Sequence, residues 1–259
     1  MKTALVTGAT GAIGKSIARQ LAEHGDFKVV LTARDEKKAQ KVTEEIIRQT
    51  GNKNVRYVMV DLSLKSAIRD FVKSWKDPLH VLINNAAVTP RQRIESAQGI
   101  ELQFATNVLA YLWLTNELLE FLKQGAPTRV VNVASYYAGN LDLNDLEFKK
   151  RRYDNNSAYR QSKQANRMLT VAQAEKLKSF NITVNSCHPG DVNSQLSNNL
   201  GFGGSTPADK GAETPVWLAT NPALEGVTGK FFSHEREADC QFSQDKAAIE
   251  KLYEICESY

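Results

Sequence analysis

Residues 3–21, TALVTGATGAIGKSIARQL, decide the fold. Residues 3–6 are a short apolar run, residues 7–14 are a turn holding Gly8, Gly11 and Gly14, and Ile13, Ile17 and Leu21 then recur at helical spacing. A strand that runs through a glycine turn into a helix opens a βαβ unit. The N–H groups of such a turn can approach a pyrophosphate at the helix N-terminus. Three readings of the turn are open. One is dinucleotide binding, although the strict G-x-G-x-x-G is absent. Another is the phosphate loop of kinases and nucleotide triphosphatases. Residues 9–16, A-x-x-x-x-G-K-S, differ from that motif at one position, and Asp61 ends an apolar run where a metal-binding acid would stand. The third is a tight turn without a ligand.

The alternation continues outward. Residues 27–31, 55–60, 81–83, 129–134, 182–187 and 230–232 read as further strands. Between them lie a charged helix running to Thr50 with a stop at Gly51, a helix carrying Ile68, Phe71 and Val72, a long helical region over 99–123 and another over 157–179. Continuous apolar strands separated by helices predict an α/β chain with a doubly wound parallel sheet and helices on both faces. Ligands of such sheets bind beyond the carboxyl ends of the strands. No repeat or linker interrupts the pattern, so residues 1–259 read as a single domain.

Composition narrows the class. The chain has 259 residues, long enough to bury a core without staples, and 15 Gly with 7 Pro are too few for a low-complexity chain. Cys187, Cys240 and Cys256 form no C-x-x-C, and an odd count points to a reducing compartment rather than a secreted scaffold. With 33 Lys and Arg against 29 Asp and Glu, the net charge of +4 is too weak to indicate nucleic acid. The basic run Lys149-Lys150-Arg151-Arg152 follows Asp142, Asp145 and Glu147 closely and reads as a solvated loop. No apolar run is long enough for a membrane span, and the N-terminus does not read as a signal peptide, so a cytoplasmic protein is expected.

Several further motifs fall after strands or on helices: Asp61-Leu62-Ser63, Asn84-Asn85-Ala86-Ala87, Asn107, Ser135, Tyr159-Arg160-Gln161-Ser162-Lys163 and His188-Pro189-Gly190. Together with residues 7–14, and in this order, they make the chain resemble the short-chain dehydrogenase/reductase family over nearly its whole length. The stretches 159–166, 141–146 and 226–232 are similar to its retinol-dehydrogenase-like and carbonyl-reductase branch. The resemblance implies a Rossmann-like fold, a nicotinamide cofactor and a carbonyl or alcohol substrate. It places the cofactor on Gly8, Thr10, Gly11, Ile13 and Gly14, then on Asp61, Leu62, Asn85, Ala86 and Ala87. Tyr159, Lys163, Pro189, Gly190, Val192 and Ser194 complete that set. Two positions depart from the family pattern: Ala12 stands where short members carry Gly, and Ala87 replaces the Gly after Asn-Asn-Ala.

The chemistry follows from the residue types. Reducing a carbonyl with a hydride requires a proton donor at the oxygen, because a bare alkoxide is unstable. Tyr159 carries such a group, and Lys163, one helical turn on, is expected to draw its pKa down from about 10. By the resemblance Lys163 also holds the nicotinamide ribose. Ser135, at a strand end, is expected to orient the substrate oxygen. Asn107, a poor helix former inside a helix, is assigned by the resemblance to a local break holding a water in a proton relay to Lys163. His24, His80, His188 and His234 show no metal-ligand spacing, so no metal is expected, and His188 reads as structural.

Cofactor choice rests on the end of the second strand. Ala33 stands where an acid would repel the 2′-phosphate of NADP, Arg34 follows, and Asp35 reads as a helix cap, so NADP(H) is expected. Lys15 is expected to add positive charge there. A non-enzymatic NADPH-binding regulator on the same fold is the alternative. A substrate loop is expected over 193–210, and Tyr136, Tyr137, Leu196, Leu200 and Phe202 suggest an apolar pocket. An insertion over about 137–157 is expected to cover helix faces that shorter members use for assembly, giving a monomer, with a dimer as second choice.

Overall fold

The opening apolar run becomes β1 (Lys2–Val6), and the computed structural model, which describes residues 1–259, places it at the middle of the sheet. It is paired in parallel on one side with β2 (Phe27–Ala33) and on the other with β4 (Val81–Asn84). Beyond β2 lies β3 (Val55–Met59). Beyond β4 come β5 (Thr128–Val133), β6 (Ile182–His188) and β7 (Phe231–Ser233), all parallel. An antiparallel strand, β8 (Arg236–Ala238), closes the edge and gives the order β3-β2-β1-β4-β5-β6-β7-β8. The order reverses between β1 and β4, and a crevice opens there beyond the strand ends.

Two apolar layers explain the near-continuous hydrophobicity of the strands. On one face, α1 (Ala12–Glu23), α2 (Glu36–Thr50) and α9 (Ala208–Thr220) set Ile17, Leu21, Ile46 and Ala212 against Val6, Val29 and Ile83. On the other, α3 (Lys65–Ser74), the helical run α4–α6, α7 (Asn155–Leu177) and α10 (Lys246–Glu257) pack around Trp113, Leu5 and Val184. The α2 boundaries follow the sequence reading: Asp35 accepts the Lys38 N–H at 3.1 Å as N-cap, and Gly51 ends the helix in the left-handed region.

Four features differ from expectation. The helical region over 99–123 is not one helix. It consists of α4 (Leu102–Phe104), a π-turn at Ala105–Leu109, α5 (Ala110–Glu117) and α6 (Leu119–Gln124). A short helix, α8 (Gln195–Asn199), sits in the substrate loop. Helix α9 was illegible because Gly211 and Pro215 lie inside it, whereas α10 carries Ile249, Leu252, Tyr253 and Cys256 at clear helical spacing. Strand β8 is short and exposed, and its hairpin turns through His234 and Glu235, both at positive φ, without the Asn-Gly that marks such turns.

The segment 137–157 is irregular until α7 begins, yet it is firmly tied. The Asp145 carboxylate accepts the N–H groups of Lys149, Lys150 and Arg151 and the Arg151 Nε at 2.7–3.2 Å. The basic run is thus a loop closed around one acid rather than fully solvated. Glu147 Oε2 accepts the Glu101 N–H at 3.1 Å, and its Oε1 accepts Lys149 Nζ and the Tyr259 hydroxyl, both at 2.8 Å. Glu101 in turn caps α4, accepting the N–H groups of Gln103 at 2.9 Å and Phe104 at 2.7 Å. Burial pushes the Glu101 carboxyl up to about 7, with Glu147 adding to the rise and the two N–H groups and Arg93 opposing it.

The folded chain therefore keeps a proton at Glu101 that the unfolded chain releases near pH 4.5, so this residue's contribution to stability falls as pH rises from there to about 7. We expect Glu101→Gln to remove that fall, so that its stability relative to wild type rises as pH increases from about 5 to about 8 in urea unfolding, whatever the fixed cost of losing one capping acceptor. Parallel pH profiles for the two proteins would count against it.

Candidate active site

A cavity of about 310 Å³ lies in the crevice beyond the strand ends. Every residue expected to hold the cofactor lines it: the turn with Gly8, Thr10, Gly11, Ile13 and Gly14, Arg34 after β2, and Asp61 and Leu62 after β3. Asn85, Ala86 and Ala87 follow from β4, Tyr159 and Lys163 from α7, and Pro189, Gly190, Val192 and Ser194 from beyond β6. Ser135 lines it as well.

The glycine turn is built by close approach. Gly8 has φ +64° and lies against Ala86, whose Cα would be 2.8 Å from a Cβ placed there. A Cβ on Gly14 would fall 2.4 Å from the Gly8 carbonyl oxygen and 2.7 Å from Asn85 Nδ2. Gly11 differs: a Cβ there meets nothing nearer than the Gly8 oxygen at 3.4 Å and would project into the open crevice. Gly11 is also the N-cap of α1, with no side-chain cap and no acid in the first turn, so the helix end presents bare N–H groups to the cavity. Ala12 is the first residue of that helix and also lines the cavity, so the departure from Gly leaves the turn intact.

Thr7, which sequence reasoning passed over, locks the turn to the Asn-Asn-Ala run. Its Oγ1 accepts the N–H groups of Asn85 at 2.8 Å and Ala86 at 3.0 Å, and its carbonyl accepts Asn85 Nδ2 at 2.9 Å.

The charges at this end are sorted by geometry. Arg34 is exposed at the rim of the cavity, with Asp35 turned away to cap α2. Lys15 does not line the cavity, and its Nζ donates to Glu45 at 2.6 Å. The added charge expected of it is spent on that pair. The same placement removes the phosphate-loop reading, whose lysine must reach a phosphate, and Ser16 likewise donates to Asp209 at 2.7 Å.

At the other end, Tyr159 is buried and lines the cavity together with Ser135, and Ser135 Oγ accepts the Tyr137 N–H at 3.0 Å. Lys163 Nζ donates to the Val133 carbonyl at 2.8 Å and lies 5.6 Å from the Tyr159 ring centroid. The expected lowering of the tyrosine pKa is not found. Burial pushes Tyr159 up to about 12 against the opposing pull of the nearby Ser135 hydroxyl, and burial brings Lys163 down to about 7. A lysine that is itself desolvated and aimed at a backbone carbonyl has little charge to lend.

Asn107 is fully buried and off the cavity, inside the π-turn, so the expected break in the helix is present. Its Oδ1 accepts the Val88 N–H at 2.8 Å, and its Nδ2 donates to the Val88 carbonyl at 3.0 Å, with longer bonds to Gln103 and Ser162. The amide pairs with Val88 much as a strand would, and its side chain makes no bond to Lys163. His188 lines the cavity, accepts the Tyr136 N–H at 3.4 Å and is pushed down to about 4 by burial, so it is neutral. Of the expected apolar residues, Tyr137, Leu196 and Phe202 line the cavity. Tyr136 packs instead on His188 and Phe231, and Leu200 is buried away from it.

A dinucleotide fold with a tyrosine, serine and lysine gathered at one end of its crevice defines an oxidoreductase. The family model for short chain dehydrogenases matches residues 2–202, and the chain belongs to that family, in its retinol-dehydrogenase-like branch. It is 33% identical to retinol dehydrogenase 13 of Mus musculus over 273 residues, covering 97% of this chain and 81% of that one. It is 38% identical to retinol dehydrogenase 11 of Homo sapiens over 247 residues, covering 90% and 77% respectively. Among solved structures, a putative uncharacterized protein from Mycobacterium paratuberculosis superposes with a TM-score of 0.84 at 27% identity, covering 100% of this chain and 92% of that one. The family uses nicotinamide cofactors and acts on small molecules.

Proposed function

We propose that the protein is an NADP(H)-dependent oxidoreductase of small to medium apolar substrates, working as a carbonyl reductase. The observation that carries this reading is the grouping of Ser135, Tyr159 and Lys163 on a cavity that also holds the glycine turn and Arg34. The crevice left open beside Gly11 and the bare N–H groups of α1 fit a pyrophosphate. Arg34, at the cavity rim and exposed, has the forked geometry for a 2′-phosphate.

Bound NADPH would supply a hydride to the carbonyl carbon. The protein's part is to hold and protonate the oxygen. Ser135 Oγ already accepts the Tyr137 N–H, which leaves its own proton free to bond an oxygen at the cavity wall. Tyr159, with a pKa pushed up to about 12, keeps its proton at neutral pH and acts as the donor. Lys163, on the same cavity, would hold the ribose hydroxyls, and Asn107 would steady the Asn-Asn-Ala run through its pairing with Val88.

No helix is long and apolar enough to cross a membrane, and the three cysteines are unpaired, which supports a cytoplasmic setting for the reaction. The segment 137–157 lies across α4 and α7 through Glu147–Glu101, Gln161–Leu146 and Gln103–Tyr153, supporting a monomer over a dimer. Sedimentation velocity at micromolar concentration is expected to show one subunit, and a stable tetramer would contradict it.

Tyr159→Phe is expected to lower kcat by about 10²- to 10⁴-fold in NADPH-dependent carbonyl reduction while leaving NADPH binding in place. A variant within about threefold of wild type would remove Tyr159 from the reaction. Arg34→Ala is expected to raise the KM for NADPH about 10- to 150-fold, the scale of a charge-assisted contact, and to leave NADH nearly unaffected. Equal kcat/KM for the two cofactors in wild type would defeat the NADP reading.

A further inference from the structure

We propose that Tyr137 is the specificity-determining wall of the substrate end, selecting flat aromatic or conjugated carbonyl compounds over saturated ones of equal size. The proposal rests on the oxidoreductase reading of the cavity and names the substrate class for it.

Three aromatic rings converge there. The Tyr137 ring stacks against Tyr159, centroid to centroid 6.3 Å at 29°, and meets Phe202 edge-on at 5.9 Å and 73°. All three line the cavity beside Ser135. Both separations lie in the range where aromatic faces and edges attract. A planar substrate entering beside Tyr159 meets a π-surface, whereas a puckered saturated ring is thicker and has no quadrupole to match it.

The ring is fixed before any ligand arrives. The Tyr137 N–H is held by Ser135 Oγ, and its hydroxyl donates to Asn156 Oδ1 at 3.3 Å. The Arg160 guanidinium stands 5.2 Å from the ring centroid. Arg160 forms no ion pair, and its buried Nε has no acceptor, so the ring is the partner of its charge. Gly139 makes room for it, since a Cβ there would lie 3.1 Å from Arg160 Nη2. A wall held at its backbone, hydroxyl and face loses little freedom on binding, which favours affinity.

Despite these ties the ring remains 40% exposed, and Phe202 is 49% exposed. Neighbouring Tyr136 provides an internal contrast. It is more exposed still, yet it packs on His188 and Phe231 and does not line the cavity. Adjacent tyrosines are thus divided between packing and the site, and only Tyr137 is turned towards Tyr159.

The test compares 2-acetylnaphthalene with its decahydro counterpart, which has the same skeleton and no π face. Dissociation constants are measured by ligand-observed NMR on the whole protein, with and without saturating NADPH. Wild type is expected to prefer the naphthyl ketone about two- to tenfold for each ring that contacts it. Tyr137→Phe should keep the preference, and Tyr137→Leu should lower it about two- to tenfold, the share of one ring. Phe202→Leu, distant in sequence, should reduce the preference in part and guards against a folding defect at Tyr137. A wild type without preference, or a Tyr137→Leu variant that retains it in full, overturns the proposal. NADPH oxidation with the same pair separates the two readings. Preference in binding without turnover of either ketone refutes the reductase and leaves the wall standing, whereas turnover of both without preference refutes the wall alone.

Discussion

The crevice depends on the Thr7 hydroxyl. The sheet changes direction between β1 and β4, and two neighbouring strand ends must leave in opposite directions without collapsing on each other. Thr7 Oγ1, accepting the N–H groups of Asn85 and Ala86, ties the two exits together, and the Asn85 amide returns a bond to the Thr7 carbonyl. Backbone groups at such a place have no sheet partner, and leaving them bare and buried costs about 1–3 kcal/mol each. The approach those bonds enforce is what makes Gly8 and Gly14 obligatory: the space a Cβ would need is filled by Ala86, the Gly8 carbonyl and Asn85. The glycine turn and the Asn-Asn-Ala run are two halves of one joint, and the free N-terminus of α1 is its product.

The catalytic end is governed by desolvation. Tyr159, Lys163 and Tyr111 are all buried, and burial disfavours the charged form of each, raising the two tyrosines and lowering the lysine. The helical spacing of Tyr159 and Lys163 brings them together as expected, but contact between two desolvated groups does not create an ion pair. In the isolated chain the pair is closer to a neutral phenol and a lysine poised near neutrality. The proton that Tyr159 would donate is retained because burial raises the cost of its loss. The Val133 carbonyl takes one Lys163 proton and leaves others unassigned, in keeping with a group placed to serve a second partner.

The strands were legible because parallel strands buried on both faces read as largely apolar runs, as at 29–31 in β2 and 130–131 in β5, despite polar positions such as Lys28, Arg129, Asn132 and Asn185. The cavity lining was legible because most of the motifs follow the end of a strand or sit on α7, where the fold converges, whereas Asn107 lies in the π-turn off the cavity. What escaped notice was set by tertiary contact. Lys15 looks like a phosphate-binding lysine until Glu45, brought beside it by packing of α1 on α2, takes its charge. Tyr136 and Tyr137 are indistinguishable in sequence, and only the turn held by Ser135 Oγ divides them. The basic run 149–152 looked free because its partner acid wraps backbone N–H groups, which residue types do not advertise. Helix α9 hid behind Pro215, a residue tolerated because packing against α1 and the sheet outweighs local propensity.

The two ends of the cavity are constructed on different terms. The cofactor end is made of backbone packed to contact, where a methyl added at Gly8 or Gly14 collides with the main chain, so its geometry has few tolerable variants. The substrate end is made of side chains on loops, Tyr137 before α7 and Leu196 and Phe202 in the 193–210 segment. These loops are anchored by hydrogen bonds that do not pass through the glycine joint. Changing a ring at that end alters the shape and polarisability of one wall without touching Thr7, Gly8 or Gly14. Substrate preference can therefore shift by exchange of a few loop side chains, while hydride geometry stays fixed by the strand ends. The coupling that remains runs through Ser135, which lines the cavity with Tyr159 and whose Oγ also holds the Tyr137 backbone. In the proposed reaction, selectivity and proton transfer would meet at this residue.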